Sequence, residues 1–208
     1  MDKRVNKTAV SRILEVVRDE AREIQELAEQ VDPGELIAVL DILRSCKGKV
    51  ITTGCGTSGA AARKIAHTMN CVELPALFLA PSDALHGGMG VIQKEDIVIF
   101  FSKGGATAEL EQMAESIGEK QSAMITVTEN KECLLAKKSN CILTVKVAKE
   151  PDSFNMLATA STLSVISVFD AVIIALAEEQ NYTRSSFLRI HPGGEVGRRL
   201  LEQVEKQG

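Results

Sequence analysis

From Lys49 to Val147 the chain alternates short apolar, β-branched runs with segments of helical spacing, and this alternation limits the fold more than any other feature. The runs are "KVITTG", "PALFLA", "DIVIFFS", "SAMITVT" and "NCILTVKV". Strands joined through helices lie parallel, and the helices cover both faces of the sheet. The pattern therefore predicts an α/β three-layer sandwich built on a five-stranded, mostly parallel sheet. Every loop that follows a strand in such a sheet emerges at the carboxyl edge, where ligands bind near a reversal of strand order. Candidate functional residues are thus confined to 54–59, 80–90, 102–107 and 148–155.

Ahead of the alternation, Val10, Ile13, Leu14, Val17, Ala21, Ile24, Leu27, Ala28 and Val31 recur at helical spacing, which predicts an amphipathic helix over about 6–31. Asp32-Pro33-Gly34 stops it, and Glu35 to Ser45 reads as a second, shorter helix. A long leading helix of this kind packs either on its own domain or against a partner subunit. The apolar stretch "STLSVISVFDAVIIALA" carries Asp170 and several hydroxyls, and predicts a buried helix rather than a membrane span. A last helix is expected after "HPGG", through "EVGRRLLEQVEKQ". No linker or composition break divides residues 1–208, so one domain is expected.

Charge and cysteine usage narrow the function classes. A formal charge of -4 and 3% aromatic residues offer neither a basic field nor stacking platforms, so no nucleic-acid partner is expected. Cys46, Cys55, Cys71, Cys133 and Cys141 are an odd set without a C-x-x-C pair, which fits a reducing cytoplasm better than a disulfide framework. The amino terminus lacks the apolar core of a secretory signal. No H-x-H or H-E-x-x-H spacing occurs, and neither a metal nor a cofactor is expected.

Directly after the first strand-like run stands "GCGTSG", Gly54 to Gly59, which fits G-x-G-x-x-G. Gly54 and Gly56 permit a sharp turn and a close backbone approach, and the helix behind them points unpaired N–H groups at whatever binds. A dinucleotide would also need an acidic residue at the end of the second strand, where Ala80 and Pro81 stand instead. A Walker loop would need Gly-Lys-Ser/Thr, which does not follow. After the third run comes a similar turn, "SKGGAT", in which Ser102 and Thr107 flank Gly104 and Gly105. Two such turns at one edge can surround a single phosphate, with Ser58, Ser102 and Thr107 donating hydroxyl hydrogen bonds beside backbone N–H groups. Taken singly, each Ser or Thr would serve as a helix cap.

These residues carry a resemblance to sugar isomerase (SIS) domains, and most to the arabinose-5-phosphate isomerase group. "GCGTSGAAARKIA" is similar to that group's G-M-G-K-S-G turn, and "SKGGATAEL" stands where it has "SNSGETAEL". "LAPSDALHGGMGVI" resembles "HPAEALHGDLGMI", "KEPDSFNMLATAST" resembles a stretch with a Glu followed by "APTTST", and "HPGGEVGRRLL" is close to "HPGGxLGRRLL". The resemblance covers roughly residues 36–201 and implies a SIS core over about 35–205 with a flavodoxin-like or Rossmann-like five-stranded parallel sheet flanked by helices, a dimer or tetramer, and a sugar phosphate as ligand.

Interconverting an aldose and a ketose phosphate moves a proton between adjacent carbons through an enediolate, which needs a base, an acid and fixed dipoles for the oxyanion. The resemblance implies Glu150 as the base, where the residue alone reads equally as a solvated loop acid. His191 is the candidate for acid–base work or ring opening, in this subunit or a neighbour, and His86 for contact with substrate hydroxyls; His67 reads as structural. Lys103 could bring positive charge to the phosphate or be a surface lysine. Thr57 and Ala106 replace a Lys and a Glu that the isomerases use, and loss of one such charged group costs ~10² to 10³ in rate by analogy with oxyanion holes. "GTS" nevertheless resembles the turn in the isomerase half of glucosamine-6-phosphate synthase, which binds its sugar phosphate without that Lys.

Many relatives of this group continue into CBS modules; regulation through them is not expected of a chain ending at Gly208. The expected activity is aldose–ketose isomerisation of a phosphosugar, of the arabinose-5-phosphate/ribulose-5-phosphate type. The alternatives are a 6-phospho-3-hexuloisomerase-like enzyme and a non-catalytic sugar-phosphate sensor, although the residues before the SIS region hold one long helix rather than a DNA-binding fold.

Overall fold

A computed structural model describes residues 3–193. Helix α1 runs over Lys3–Gln30, longer at its start than its apolar period suggests. Helix α2, Pro33–Ser45, begins at the triplet that ends α1: the Asp32 carboxylate accepts the Gly34 N–H at 2.8 Å, and Pro33 occupies the first turn, where its missing N–H costs nothing. The alternation then follows as β1 (Val50–Gly54), α3 (Gly56–Asn70), β2 (Ala76–Phe78), α4 (Pro81–Leu85), β3 (Ile97–Phe101), α5 (Ala108–Lys120), β4 (Ala123–Thr128), α6 (Leu134–Lys138), β5 (Cys141–Thr144), α7 (Ala160–Glu179) and α8 (Arg184–Ile190). Each of the apolar runs forms a strand. Helices α4, α6 and α8, at five to seven residues, are too short for their periodicity to show in sequence. The helix expected after "HPGG" lies outside the described residues.

All strands are parallel, in the order β2-β1-β3-β4-β5. The chain leaves β1 toward β2 and returns to the other side of β1 as β3, so the reversal falls between β1 and β3. Gly54 pairs in register with Phe101. The turns after these two strands therefore emerge side by side at the carboxyl edge.

Period-two alternation divides the strands between two cores. Ile97, Ile99 and Phe101 of β3 face a layer of α1, α2, α3 and α7, where Val39, Leu43, Ile65, Met69, Phe169 and Val172 are buried. Val98 and Phe100 face α4, α5 and α6 with Leu110, Met113 and Ile117. Phe101 and Phe169 meet edge to face at 5.1 Å, a favoured aromatic geometry that pins α7 over the centre of the sheet. Helix α7 is long and apolar enough to cross a bilayer, yet it lies along the sheet with Val168, Phe169, Val172, Ile173 and Leu176 buried. At the amino edge, Asp96 is 2% exposed and accepts the Lys49 N–H at 2.9 Å, the Lys49 ammonium at 2.7 Å and the Gln93 N–H at 2.8 Å.

Candidate functional site

The turn after β3 is built around a glycine that nothing else can replace without strain. Gly105 has φ +73°, and a Cβ there would stand 2.2 Å from Cys133 Sγ. Its N–H donates to Ser102 Oγ at 3.2 Å, and Ser102 Oγ lies 3.2 Å from Thr107 Oγ1. Thr107 holds the N-cap position of α5, but its side chain makes no cap hydrogen bond; the hydroxyl turns inward to Ser102 instead. The end of β4 anchors the turn from beneath, with the Glu129 N–H and the Thr128 hydroxyl both donating to the Lys103 carbonyl at 2.9 Å. Beside it, the N-terminus of α3 has no side-chain cap, and Gly56 at φ +56° opens the backbone there. An anion at this edge would meet uncapped N–H groups and the positive end of a helix.

Between these turns and the start of α7 lies a cavity of about 40 Å³, lined among others by Ser58, Ser102, Lys103, Thr128, Ser161 and Thr162. Glu150 sits behind it, 1% exposed. The Lys103 ammonium donates to Glu150 Oε1 at 2.7 Å, and the Ser161 hydroxyl donates to the same oxygen. Oε2 accepts the Thr159 N–H at 3.0 Å and the Ser161 N–H at 3.4 Å. Burial pushes the carboxyl up, but hydrogen bonds from Lys103, Ser161 and the Thr159 N–H, with the Lys103 charge, outweigh it and hold Glu150 below the usual carboxylate range. Asn155 Oδ1 accepts the Glu150 N–H at 2.6 Å, and the loop is tied to α1 where the Ala148 N–H donates to Glu23 Oε2 at 2.7 Å.

The structure thus brings Ser58, Ser102, Lys103, Gly105, Thr107 and Glu150 to one place. Gly104 lies exposed at the tip of the same turn. Gly54 and Gly56 face a neighbouring depression of about 400 Å³ with Arg63, Phe78, Pro81 and Glu109, where the Arg63 guanidinium lies 3.9 Å above the Phe78 ring. Thr57 and Ala106 are exposed, one on each turn.

Neither His86 nor His191 joins them within this chain. His86 is exposed at the end of α4, which packs through Ala84 on the α5 side of the sheet, whereas Glu150 bonds to the start of α7 on the other side. His191 follows α8, whose neighbourhood is tied to the far end of α3: Tyr182 Oη donates to the Cys71 carbonyl at 3.1 Å, and Arg189 reaches Glu73 at 3.6 Å. Helix α3 starts at the carboxyl edge and ends at the amino edge, so His191 lies at the opposite end of the molecule from Glu150. Its ring stacks on Phe187 at 3.8 Å.

Sequence reasoning did not single out Ser161, Thr159 or Thr128. The signal for the first two was the hydroxyl-rich "TAST" opening an otherwise apolar helix. Among the described residues, no three His, Cys, Asp or Glu side chains gather as metal ligands.

Residues 42–175 match the SIS domain. Arabinose 5-phosphate isomerase KpsF of Escherichia coli is 33% identical over 94% of this chain, which spans 62% of that protein. Arabinose 5-phosphate isomerase KdsD of Pseudomonas aeruginosa is 37% identical over 82% of this chain and 52% of its own length. The chain therefore spans about half to six-tenths of the length of these curated relatives. Among solved structures, a candidate sugar-phosphate isomerase of Listeria monocytogenes superimposes with a TM-score of 0.89 at 47% identity, covering 93% of this chain and 100% of that one. An E. coli protein in complex with arabinose 5-phosphate superimposes with a TM-score of 0.85 at 30% identity, covering 92% and 100%. With the parallel sheet, the paired hydroxyl-and-glycine turns and these matches in agreement, the chain belongs to the SIS domain family.

Proposed function

We propose that this protein binds a sugar phosphate at the carboxyl edge of its sheet and isomerises it between aldose and ketose forms, in a reaction of the arabinose-5-phosphate/ribulose-5-phosphate type. The observation that carries this reading is that Ser102 and Lys103 of the turn after β3 line one cavity with Ser58 and Ser161 near the strand-order reversal, and that Lys103 and Ser161 both bond the buried Glu150 carboxylate behind it. The E. coli relative solved with arabinose 5-phosphate bound supports the ligand class.

In this reading the phosphate accepts hydrogen bonds from the Ser58, Ser102 and Thr107 hydroxyls and from N–H groups around Gly104 and Gly105. Thr57 lends a hydroxyl at the first turn of α3, while Gly54 and Gly56 leave the backbone free to approach. The enclosed volume of about 40 Å³ suits a phosphoryl oxygen or a water, so the sugar extends along the open edge. Glu150 abstracts the proton from one carbon and returns it to its neighbour, and the uncapped N–H groups of α3 stabilise charge near the phosphate.

His191 acts from a neighbouring copy. Self-association is supported by the exposed apolar stripe Val10, Ile13, Leu14 and Val17 on α1, close to Phe154, Met156 and Leu157, which are 61–82% exposed. Arg12 on the same helix donates to the Pro151 carbonyl and joins the two patches. The free cysteines fit a cytoplasmic protein.

A second reading, a non-catalytic sugar-phosphate sensor, is favoured by the full set of donors on Glu150, which leaves its lone pairs occupied. A thermal-shift panel of pentose and hexose phosphates comes first: a ligand at ~100 times its Kd should stabilise the fold by about 2.7 kcal/mol. Any ligand that binds is then incubated in deuterated water. An isomerase exchanges the proton next to the carbonyl, and Glu150→Gln abolishes exchange while binding survives; a sensor binds without exchange. Absence of stabilisation by every phosphosugar refutes both readings.

A further inference from the structure

We propose that Lys103 couples phosphate occupancy to the state of Glu150: its ammonium holds the buried carboxylate until a phosphate enters the adjacent turn, then turns to that phosphate and frees Glu150 to act as a base. This inference deepens, and rests on, the sugar-phosphate reading above.

Its first support is that one cation serves two anionic positions. Among the described residues lining the cavity, Lys103 is the only Lys or Arg. It belongs to the same turn as Ser102, Gly104, Gly105 and Thr107, and its Nζ lies 2.7 Å from Glu150 Oε1. A dianion held by that turn and the Glu150 carboxylate would compete for the same ammonium.

The second support is the contrast in how firmly the two partners are held. Glu150's side chain is 0% exposed and held by Ser161 and the N–H groups of Thr159 and Ser161, whereas Lys103's side chain is 37% exposed. The Lys103 backbone is fixed through its carbonyl by Thr128 and Glu129, so the ammonium can swing on its four-carbon stem without moving the turn.

The third is what remains around Glu150 once Lys103 leaves. The groups facing it are the Ser161 hydroxyl and the N–H groups of Thr159 and Ser161 from α7. Its own loop contributes Lys149, which is exposed, and Asp152, whose carboxylate is engaged by the N–H groups of Phe154, Met156 and Leu157. From α1, Glu23 and Arg12 contact that loop at Ala148 and Pro151 rather than at the carboxylate. Glu150 would then be a buried carboxylate held by neutral donors alone, and burial without a countercharge raises proton affinity. An unphosphorylated sugar would meet Glu150 still paired, so the phosphate would be required for rate as well as for affinity.

The test uses the full chain carrying ¹³C-carboxyl-labelled glutamate, with the Glu150 signal identified by its loss in Glu150→Gln. The probe is inorganic sulfate, which stays a dianion to far lower pH than phosphate, compared with chloride at equal ionic strength. Thermal stabilisation by sulfate and by arabinose 5-phosphate is measured first. With sulfate bound, the wild-type Glu150 titration midpoint should rise by at least about one pH unit, a tenfold gain in proton affinity. Lys103→Met should show the raised midpoint without sulfate and, with it, only the smaller rise that direct repulsion by the dianion produces; Lys103→Arg should keep the low one. A wild-type midpoint that does not move while sulfate demonstrably stabilises the protein overturns the coupling and leaves the sugar-phosphate reading standing. Lack of stabilisation by sulfate, by arabinose 5-phosphate and by every other phosphosugar of the panel overturns that reading and the coupling with it. A wild-type midpoint that stays put overturns the coupling even if a variant does not fold, whereas a rise supports it only where it exceeds the rise that direct repulsion by sulfate gives in Lys103→Met.

Discussion

Gly105→Ala tests whether the turn after β3 is as tightly specified as its geometry demands. At φ +73° an L-residue pays about 1–2 kcal/mol that glycine does not. The new Cβ would stand 2.2 Å from Cys133 Sγ and 2.5 Å from Cys133 Cβ, far inside contact distance. Cys133 cannot easily yield, being 8% exposed at the N-cap of α6, where its sulfur accepts the Ala136 N–H at 3.4 Å. Overpacking of this kind adds about 1–3 kcal/mol, for a total of about 2–5 kcal/mol. Against the ~5–15 kcal/mol that holds a typical domain together, this is a large fraction. Urea unfolding should show a lowered midpoint with an unchanged slope. A double-mutant cycle with Cys133→Gly separates the parts: the clash should vanish in the double variant and leave about 1–2 kcal/mol of backbone cost. The same change displaces the Gly105 N–H from Ser102 Oγ, so phosphosugar affinity should fall as well. A Gly105→Ala variant within about 0.5 kcal/mol of wild type, a surface-substitution effect, would contradict this account of the turn, as would a cycle in which Cys133→Gly restores nothing.

Other consequences are open to measurement. Asp96→Asn removes a buried carboxylate from three donors while its partner Lys49 is still 28% exposed, so the cost should be about 2 kcal/mol in denaturant titration, below that of breaking a fully buried pair. For Asp96, burial raises the pKa, but hydrogen bonds from Lys49 and Gln93 prevail and lower it; Glu150 is lowered likewise. Stability from both carboxylates is therefore complete above their unfolded pKa values near 4 and lost as pH falls through the lower folded ones, and Asp96→Asn should flatten that acid limb. Phe169→Ala, which empties the site packed against Phe101, should cost about 3–5 kcal/mol by the same titration. If copies associate through α1, Ile13→Glu combined with Val17→Glu should lower the mass in analytical ultracentrifugation while leaving the far-ultraviolet circular dichroism unchanged; an unaltered mass refutes that face as the interface.

The strands were legible because their signal is local. Short continuous apolar and β-branched runs set between segments of helical spacing mark β1 to β5 whatever the tertiary context, and parallel pairing follows from the helices between them. Ser102, Gly105 and Thr107 were legible as one turn for the same reason. "NCILTVKV" shows the limit: the strand ends at Thr144, and Val145 makes one more ladder bond to the Thr128 carbonyl before the chain turns toward α7. Whether Thr107 caps α5 or turns to Ser102 depends on χ1 and on Gly105's left-handed backbone, neither of which residue type reveals. His191 illustrates the same gap, since nothing in "HPGG" tells which edge of the sheet α8 reaches; that is decided by Tyr182 and Arg189 meeting the end of α3.

The layers, the parallel sheet and the two turns at its edge were thus written in the sequence, because each rests on short-range periodicity and on the backbone freedom of particular glycines. Only the folded chain shows that β1 and β3 are neighbours, that Lys103 meets Glu150 across 47 positions, and that Ser161 closes on the same carboxylate from α7. Those contacts come from the packing of distant segments into one core, and the energy that selects them is shared among too many side chains to be read from any one stretch.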